Sequence, residues 1–225
     1  MVGMGGLGSI VAPILVRSGV ESLTLLDDDC VELSNLHRQL IYRDADIGQP
    51  KIACAKAWLN EEAERYGHKA PSIETHATRL LPDNAECFIS NHHVVIEGAD
   101  NLATKFLVAD TALRCPDLQV VQAGATRWQA WTLAWQSHQG PCLRCLFEDI
   151  PEAEIPNCAD AGILGSVVGV IGALQAALAL RCLHQDPKVI GELWHYDAWR
   201  HRLRRRQIQP RIHCTGCQQR VHKAS

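Results

Sequence analysis

Hydrophobic positions along the chain fall into two alternating styles. Short unbroken apolar runs, "SLTLLD" at 22–27, "HVVIEGAD" at 93–100 and "LQVVQAG" at 118–124, read as buried strands, and "SIETHA" at 72–77 supplies a further strand. Between them the spacing becomes helical. Leu7 to Val16 is apolar and helix-compatible, "KIACAKAWLNEEAERYG" (51–67) is amphipathic and opens after Pro50, and "NAECFIS" (84–90) and "ATKFLVADTALRC" (103–115) follow as two more helices. Strand and helix in alternation predict a parallel sheet covered on both faces.

From Arg127 the pattern changes. "RWQAWTLAWQ" (127–136) alternates as a more exposed strand does, and "ELWHYDAW" followed by "HRLRRRQI" predicts a late pair of strands. Most of the six tryptophans fall in these strands, where packing accounts for them. With no internal repeat and no low-complexity segment, residues 1–225 read as one α/β domain with an antiparallel C-terminal extension.

Composition narrows the classes. Lys plus Arg total 22 against 25 Asp plus Glu, and the net charge of −3 gives no global case for nucleic acid or a membrane surface. The basic run "RHRLRRR" at 200–206 is a local exception, read either as the solvated face of a strand or as a docking patch for an acidic protein partner. The N-terminus lacks a basic n-region and an apolar signal core. The apolar stretch 161–183 has the length of a membrane span, but four glycines, Ser166, Gln175 and Arg181 fit a buried helix better. The ten cysteines are therefore expected to be reduced thiols or metal ligands in a cytoplasmic setting. Cys30, Cys54, Cys87, Cys115 and Cys182 sit inside apolar patterns and read as small core residues.

Two C-x-x-C pairs carry the strongest single signal: Cys142 and Cys145 in "PCLRCLF", then Cys214 and Cys217 in "HCTGCQQ". Four thiolates from two short knuckles meet the needs of tetrahedral zinc, and with every position filled the zinc is expected to be structural. A redox role is the alternative for either pair alone. At the N-terminus, Gly3, Gly5 and Gly8 of "MVGMGGLGS" satisfy G-x-G-x-x-G, which binds phosphate where a strand turns tightly into a helix. Only Met1 and Val2 precede this loop, so the feeding strand is expected to be missing. Omitting a central strand would leave its neighbours unpaired, and Met1 is therefore expected to be an internal methionine or the result of clipping.

The segment 25–51, "LLDDDCVELSNLHRQLIYRDADIGQPK", adds polar chemistry. Asp27 lies 19 positions after Gly8, where a ribose hydroxyl acceptor belongs, which a nicotinamide-dependent oxidoreductase would also show. That reading leaves Asn35, Arg38, Gln39 and Lys51 unexplained. Asn, Arg and Lys suit a triphosphate, since Arg forks onto oxygens and Lys acts as a point charge. In "VVIEGADNLATK", Asp100 and Asn101 fall beyond the end of a buried strand, and Asp100 is a candidate Mg²⁺ ligand. His37 reads as a neighbour of these residues with no catalytic part.

Together, "GMGGLGS", "DDDCVELSNLHRQ", "DIGQPK", "GADN", "CLRCLF", "CADAGILGSVVGVIGALQA" and the closing "CTGC" resemble the ThiF/MoeB/HesA adenylyltransferases, bacterial relatives of the ubiquitin-activating enzymes. The resemblance covers nearly the whole chain. It implies a Rossmann-like domain, nucleotide-binding over 1–125 and carrier- and zinc-binding over 126–225. Its implied activity is to bind Mg·ATP and adenylate the C-terminal glycine of a small ubiquitin-like sulfur carrier ending in Gly-Gly, ThiS- or MoaD-like. The pathway would be thiamine or molybdopterin biosynthesis.

By match of motif, Gly3, Gly5, Gly6 and Gly8 would line the ATP site, Asp27 would take the ribose, and Asn35, Arg38 and Lys51 would hold phosphates. Asp29, Ser34, Gln39 and Asn101 would complete the site, with Asp100 on magnesium. Cys158, in "IPNCADAGILG", stands where ThiF-like members have a cysteine implicated in linking to the activated carrier; the alternative is an ordinary loop thiol. A homodimer is implied, and no nucleic-acid or membrane partner.

Three departures from the family pattern stand out. The strand and arginine-bearing segment that normally precede the glycine loop are absent from this sequence, which raises the alternative of a truncated, non-catalytic carrier-binding subunit. Glu97 replaces a common aspartate and is expected to be a harmless change. No sulfurtransferase domain follows Cys217, so sulfur is expected from a separate donor such as a cysteine desulfurase.

Overall fold

The computed structural model describes residues 1–67, 69–147 and 162–218, with the side chains of 217 and 218 outside the description. Helix α1 (Gly8–Arg17) leads to β1 (Ser22–Leu26), α2 (Lys51–Arg65), β2 (Ser72–His76), α3 (Ala85–Ile89), β3 (Val94–Glu97) and α4 (Leu102–Ala112). Then come β4 (Gln119–Thr126), β5 (Gln129–Gln136), the short α5 (Leu143–Leu146), the long α6 (Gly165–Leu183), β6 (Glu192–Asp197), β7 (Arg202–Gln207) and α7 (Thr215–Gln218). Apart from the short α5 and α7, the elements fall close to where the apolar periodicity puts them.

β1 and β2 pair in parallel, as do β3 and β4, whereas β4–β5, β5–β6 and β6–β7 are antiparallel. The sheet is therefore mixed, with the expected antiparallel extension continuing from β4: short turns join β4 to β5 and β6 to β7, whereas β5 reaches its antiparallel neighbour β6 by way of α5 and α6. β1 and β3 meet through residues 1–3. Val2 bridges to Leu26 and to Glu97, its amide donates to the Ile96 carbonyl (2.9 Å), and Gly3 donates to Leu26 (2.8 Å). The place expected to lack its strand thus holds a short extended segment paired on both sides.

Helices cover both faces, as the alternation predicts. On one, α1, α2 and α6 pack a core around Leu15, Leu25, Leu59 and Leu178; on the other, α3, α4 and α5 enclose Ile89, Phe106, Leu133 and Trp135. β5 was expected to be more exposed but is mostly buried, because α6 covers one face and the α4–α5 side the other. Its alternation separates two apolar layers. α6 is 19 residues long with mean hydropathy 1.8, enough by length and composition to cross a membrane, yet in this fold it packs on α1, β4 and β5. Its glycines permit the close fit: a Cβ on Gly172 would lie 2.9 Å from Ile10.

Two polar networks tie the distal strands and α6 together. Glu192 opens β6 with its side chain only 2% exposed, accepting from Arg181 of α6 (2.9 Å), Trp194 (2.7 Å) and Arg205 of β7 (3.0 Å). Burial works against its charge, but those hydrogen bonds prevail and hold the carboxyl below the usual glutamate range. The second network, centred on Glu97, underlies the site. Of the cysteines expected in the core, Cys115 and Cys182 are buried, but Cys30 and Cys87 are exposed and Cys54 is half-buried. Short apolar windows at turn and helix borders do not distinguish the covered side from the open one.

Candidate functional site

A cleft of about 990 Å³ opens beyond the carboxyl ends of β1 and β3. Ligands in open α/β sheets collect at this edge. Gly3, Gly5 and Gly6 line it, and no side chain caps the first turn of α1. Gly3 has a φ of +91°, which a side chain would strain, and its Cα faces the Gly98–Ala99 backbone. Gly8 does not line the cleft; a Cβ there would sit 2.4 Å from the Gly3 carbonyl oxygen, so this glycine serves loop closure and not ligand contact.

Asp27, just past β1, fastens the glycine loop. Its carboxylate accepts from the Met4 amide (2.6 Å) and the Asp29 amide (2.9 Å). Burial pushes its pKa up, with Lys51 pulling it back. Lys51, the first residue of α2, is 4% exposed and donates to Asp29 Oδ2 at 2.8 Å. Asp29 thus holds the lysine in place at the cleft wall.

The turn after β1 carries the next group. Arg38 is half-buried, with its guanidinium bonded to the Ser34 carbonyl (3.3 Å) and to Asn35 Oδ1. Asn35 donates to Glu32 Oε2 (3.1 Å), and the Ser34 hydroxyl to the same oxygen (3.2 Å). Glu32 was missed in the sequence; the signal was its position three residues before Asn35, on one face of the short 3₁₀ turn Leu33–Asn35. Gln39 is 2% exposed, and its Oε1 has no hydrogen-bond partner among the described residues. A buried acceptor without a partner beside an open glycine cradle fits a bound polar ligand.

Asp100 and Asn101 line the opposite wall, past β3. The Asn101 side chain also caps α4, accepting from the Thr104 amide at 2.8 Å. Beneath them Glu97, read as a harmless replacement of a common aspartate, is fully buried and fully engaged. Lys105 of α4 donates to both its oxygens (2.9 and 3.1 Å) and to the Ala123 carbonyl. The Ala99 amide donates to Glu97 Oε1 (2.6 Å), and Gln122 donates to Oε2 (3.2 Å) while accepting from Trp135 (3.0 Å). Burial pushes the Glu97 pKa up while Lys105 opposes that shift. Glu97 thus fixes the Gly98–Asn101 turn that presents Asp100, and its eight-residue separation from Lys105 across a strand and a helix hid the pair from sequence reading.

Cys142, Cys145 and Cys214 converge away from the cleft, all buried, with sulfurs 3.9 Å (Cys142–Cys145) and 3.6 Å (Cys142–Cys214) apart. The Arg211 amide donates to the Cys145 sulfur at 3.5 Å, as amides do toward thiolate. Three soft donors within 4.8 Å of one another fit a zinc ion. The side chain of Cys217, the fourth expected ligand, and the whole of Cys158 lie outside the described residues.

Comparison with known proteins places these features. The model of the ThiF family matches residues 1–217. The adenylyltransferase and sulfurtransferase MOCS3 of Xenopus laevis is 37% identical over 220 residues, covering 96% of this chain and 48% of that protein. The adenylyltransferase and sulfurtransferase uba4 of Aspergillus terreus is 38% identical over 192 residues, covering 81% and 38%. The chain thus spans about half, or less, of the length of these relatives. Among solved structures, E. coli MccB with ATP superposes with a TM-score of 0.81 at 19% identity, over 96% of this chain and 65% of that one, a likeness of fold. With that length of match and that identity, the chain belongs to the ThiF family.

Proposed function

We propose that this chain adenylates the C-terminal glycine of a small ubiquitin-like sulfur carrier, ThiS- or MoaD-like, in thiamine or molybdopterin biosynthesis. The observation that carries the reading is the meeting of Arg38, Lys51 and Asp100 around one cleft whose floor is the glycine loop. ATP is the substrate that suits it: Gly5, Gly6, Gln39, Asp27, Asn35, Arg38 and Lys51 line the cleft, where Asp27 would take a ribose hydroxyl and Asn35, Arg38 and Lys51 would donate to phosphate oxygens. The carrier's terminal carboxylate oxygen forms a bond to the α-phosphorus while the bond to the β-phosphate oxygen breaks, releasing pyrophosphate. Such a displacement calls on the protein for alignment and charge neutralisation and for no covalent help.

Asp100 is the residue to hold Mg²⁺, which when bound would offset phosphate charge. Cys142, Cys145, Cys214 and Cys217 would hold a structural zinc. Cys158 is proposed to bond to the activated carrier during sulfur transfer, with sulfur from a separate donor such as a cysteine desulfurase. A cytoplasmic homodimer completes the reading. The test is carrier-dependent exchange of labelled pyrophosphate into ATP, using the Gly-Gly-terminated ubiquitin-like protein of the same organism. Exchange with that protein, and none when its last glycine is deleted, is expected; ATP binding with no exchange overturns the assignment.

A further inference from the structure

β7 lies at the outer edge of the sheet, and every residue in it is exposed. Register places its arginines with respect to the cleft. Gly124 of β4 pairs with Trp131 of β5, Trp131 with His195 of β6, and His195 with Arg204 of β7. One row nearer the cleft mouth, Thr126, Gln129, Asp197 and Arg202 pair in the same way. Residues paired directly across neighbouring strands share a face. Gly124, Thr126, Gln129, Trp131 and His195 all line the cleft, so the face that forms its far wall continues outward onto Arg202 and Arg204. β5 and β7 are two strand spacings apart, about 10 Å. His195 lines both the cleft and a smaller groove of about 200 Å³ that it shares with Asp197, Arg200, Arg202 and Arg204.

The charge on this strip is not neutralised within the described residues. Asp197 is engaged by Arg200 at 3.0 Å, and Glu192 by Arg205 on the opposite face at 3.0 Å. No carboxylate among the described residues pairs with Arg202, Arg204 or Arg206. At the cleft-side end of the strands, the β4–β5 and β6–β7 turns carry Trp128 and Trp199, 43% and 69% exposed, their rings 5.1 Å apart edge to face. Exposed tryptophan beside arginine is the residue chemistry that dominates binding energy at protein interfaces.

We propose that Arg202, Arg204 and Arg206, with Trp128 and Trp199, form the docking surface for an acidic face of the carrier whose C-terminal tail enters the cleft. This rests on the function proposed above. A globular partner that inserts its tail must lie over the rim of the cleft, and the strip begins one residue pair beyond it. A second copy of this chain fits the strip poorly, because a two-fold contact centred there sets arginine against arginine. Nucleic acid is disfavoured by the net charge of −3. Edge arginines also deter strand-to-strand association, and that role alone is the competing explanation.

The experiment uses the full chain with Arg202→Glu, Arg204→Glu and Arg206→Glu combined, and a matching set changed to lysine. Near-ultraviolet circular dichroism verifies that each is folded. Binding of the same organism's Gly-Gly-terminated ubiquitin-like protein is measured at low and high salt, together with pyrophosphate exchange driven by that protein or by a synthetic six-residue copy of its tail. The glutamate set is expected to weaken whole-carrier binding about tenfold or more, most strongly at low salt, with tail-driven exchange unchanged and the lysine set near wild type. Equal affinity in wild type and glutamate set, or no binding to wild type, overturns the proposal. So does dissociation of a wild-type oligomer by the glutamate set, or tighter binding of a short RNA than of the carrier. Carrier binding that depends on the strip without any exchange sinks the adenylation reading and leaves the docking surface standing.

Discussion

The Lys105 ammonium grips both carboxylate oxygens of Glu97, at 2.9 and 3.1 Å, directly beneath the turn that presents Asp100. Both side chains are buried, at 6% and 0% exposure. Removing one member of a buried pair leaves a charge without compensation and costs about 3–5 kcal/mol. Lys105→Met is therefore expected to lower the urea midpoint by that equivalent, and Lys105→Arg much less. Without Lys105 the already raised Glu97 carboxyl rises further. A raised carboxyl contributes stability below its unfolded value of 4.5 and loses it as pH rises through the folded value, so the Lys105→Met deficit should widen toward neutral pH. A deficit under about 1 kcal/mol at neutral pH would contradict the role given to the pair.

Arg38 and Asp100 line the same cleft. Arg38 would offset phosphate charge directly and Asp100 would do so by holding Mg²⁺, so Arg38→Ala and Asp100→Ala should each reduce carrier-dependent pyrophosphate exchange by about 10²-fold or more. Melting temperature, followed in parallel, should stay close to wild type for Asp100→Ala, an exposed residue. Near-normal exchange in both variants would remove the phosphate-site assignment.

The buried thiols make a metal prediction. Reduced protein purified without chelators should contain one zinc per chain by elemental analysis, and Cys214→Ser should lose it. Because Cys142 caps α5 and Cys145 lies within it while Cys214 precedes α7, metal loss should loosen the C-terminal segment first, visible as early hydrogen exchange there. Wild-type protein without stoichiometric zinc would refute the site.

Glu192 supplies a pH signature. Its carboxyl is held below the usual glutamate value of 4.5, so its contribution to stability is complete above that value and is lost as pH falls through the lower folded value. Glu192→Gln should cost about 2 kcal/mol at neutral pH, the scale of hydrogen bonds to a charged group, and should lose less than wild type on acidification. Parallel acid-unfolding curves for the two proteins would exclude this role.

Much of the architecture was legible because buried strands and amphipathic helices differ in hydrophobic period, and Lys51 at the start of α2 and Asp100 past β3 were readable on that basis. Periodicity does not encode which strand lies beside which. The antiparallel extension was foreseen, but its order along the sheet edge and the burial of β5 on both faces emerged only in three dimensions. Site residues with side chains typical of phosphate chemistry stood out. Glu32 and Glu97 did not, because their work is to orient Asn35 and the Gly98–Asn101 turn through contacts that tertiary packing creates.

The close fit of α6 against the glycine loop also bears on how the molecule comes to exist. A Cβ on Gly6 would lie 3.1 Å from Val168, so the loop takes its shape against a helix far along the chain. Contacts of long sequence separation form late, because the intervening chain must be closed before they contribute. Early-made α2 can cover one side of α1, but the side that α6 covers should stay open during synthesis until α6 has left the ribosome. Nucleotide affinity should be among the last properties a nascent or refolding chain acquires, and the interval before it is when the chain most needs protection from aggregation.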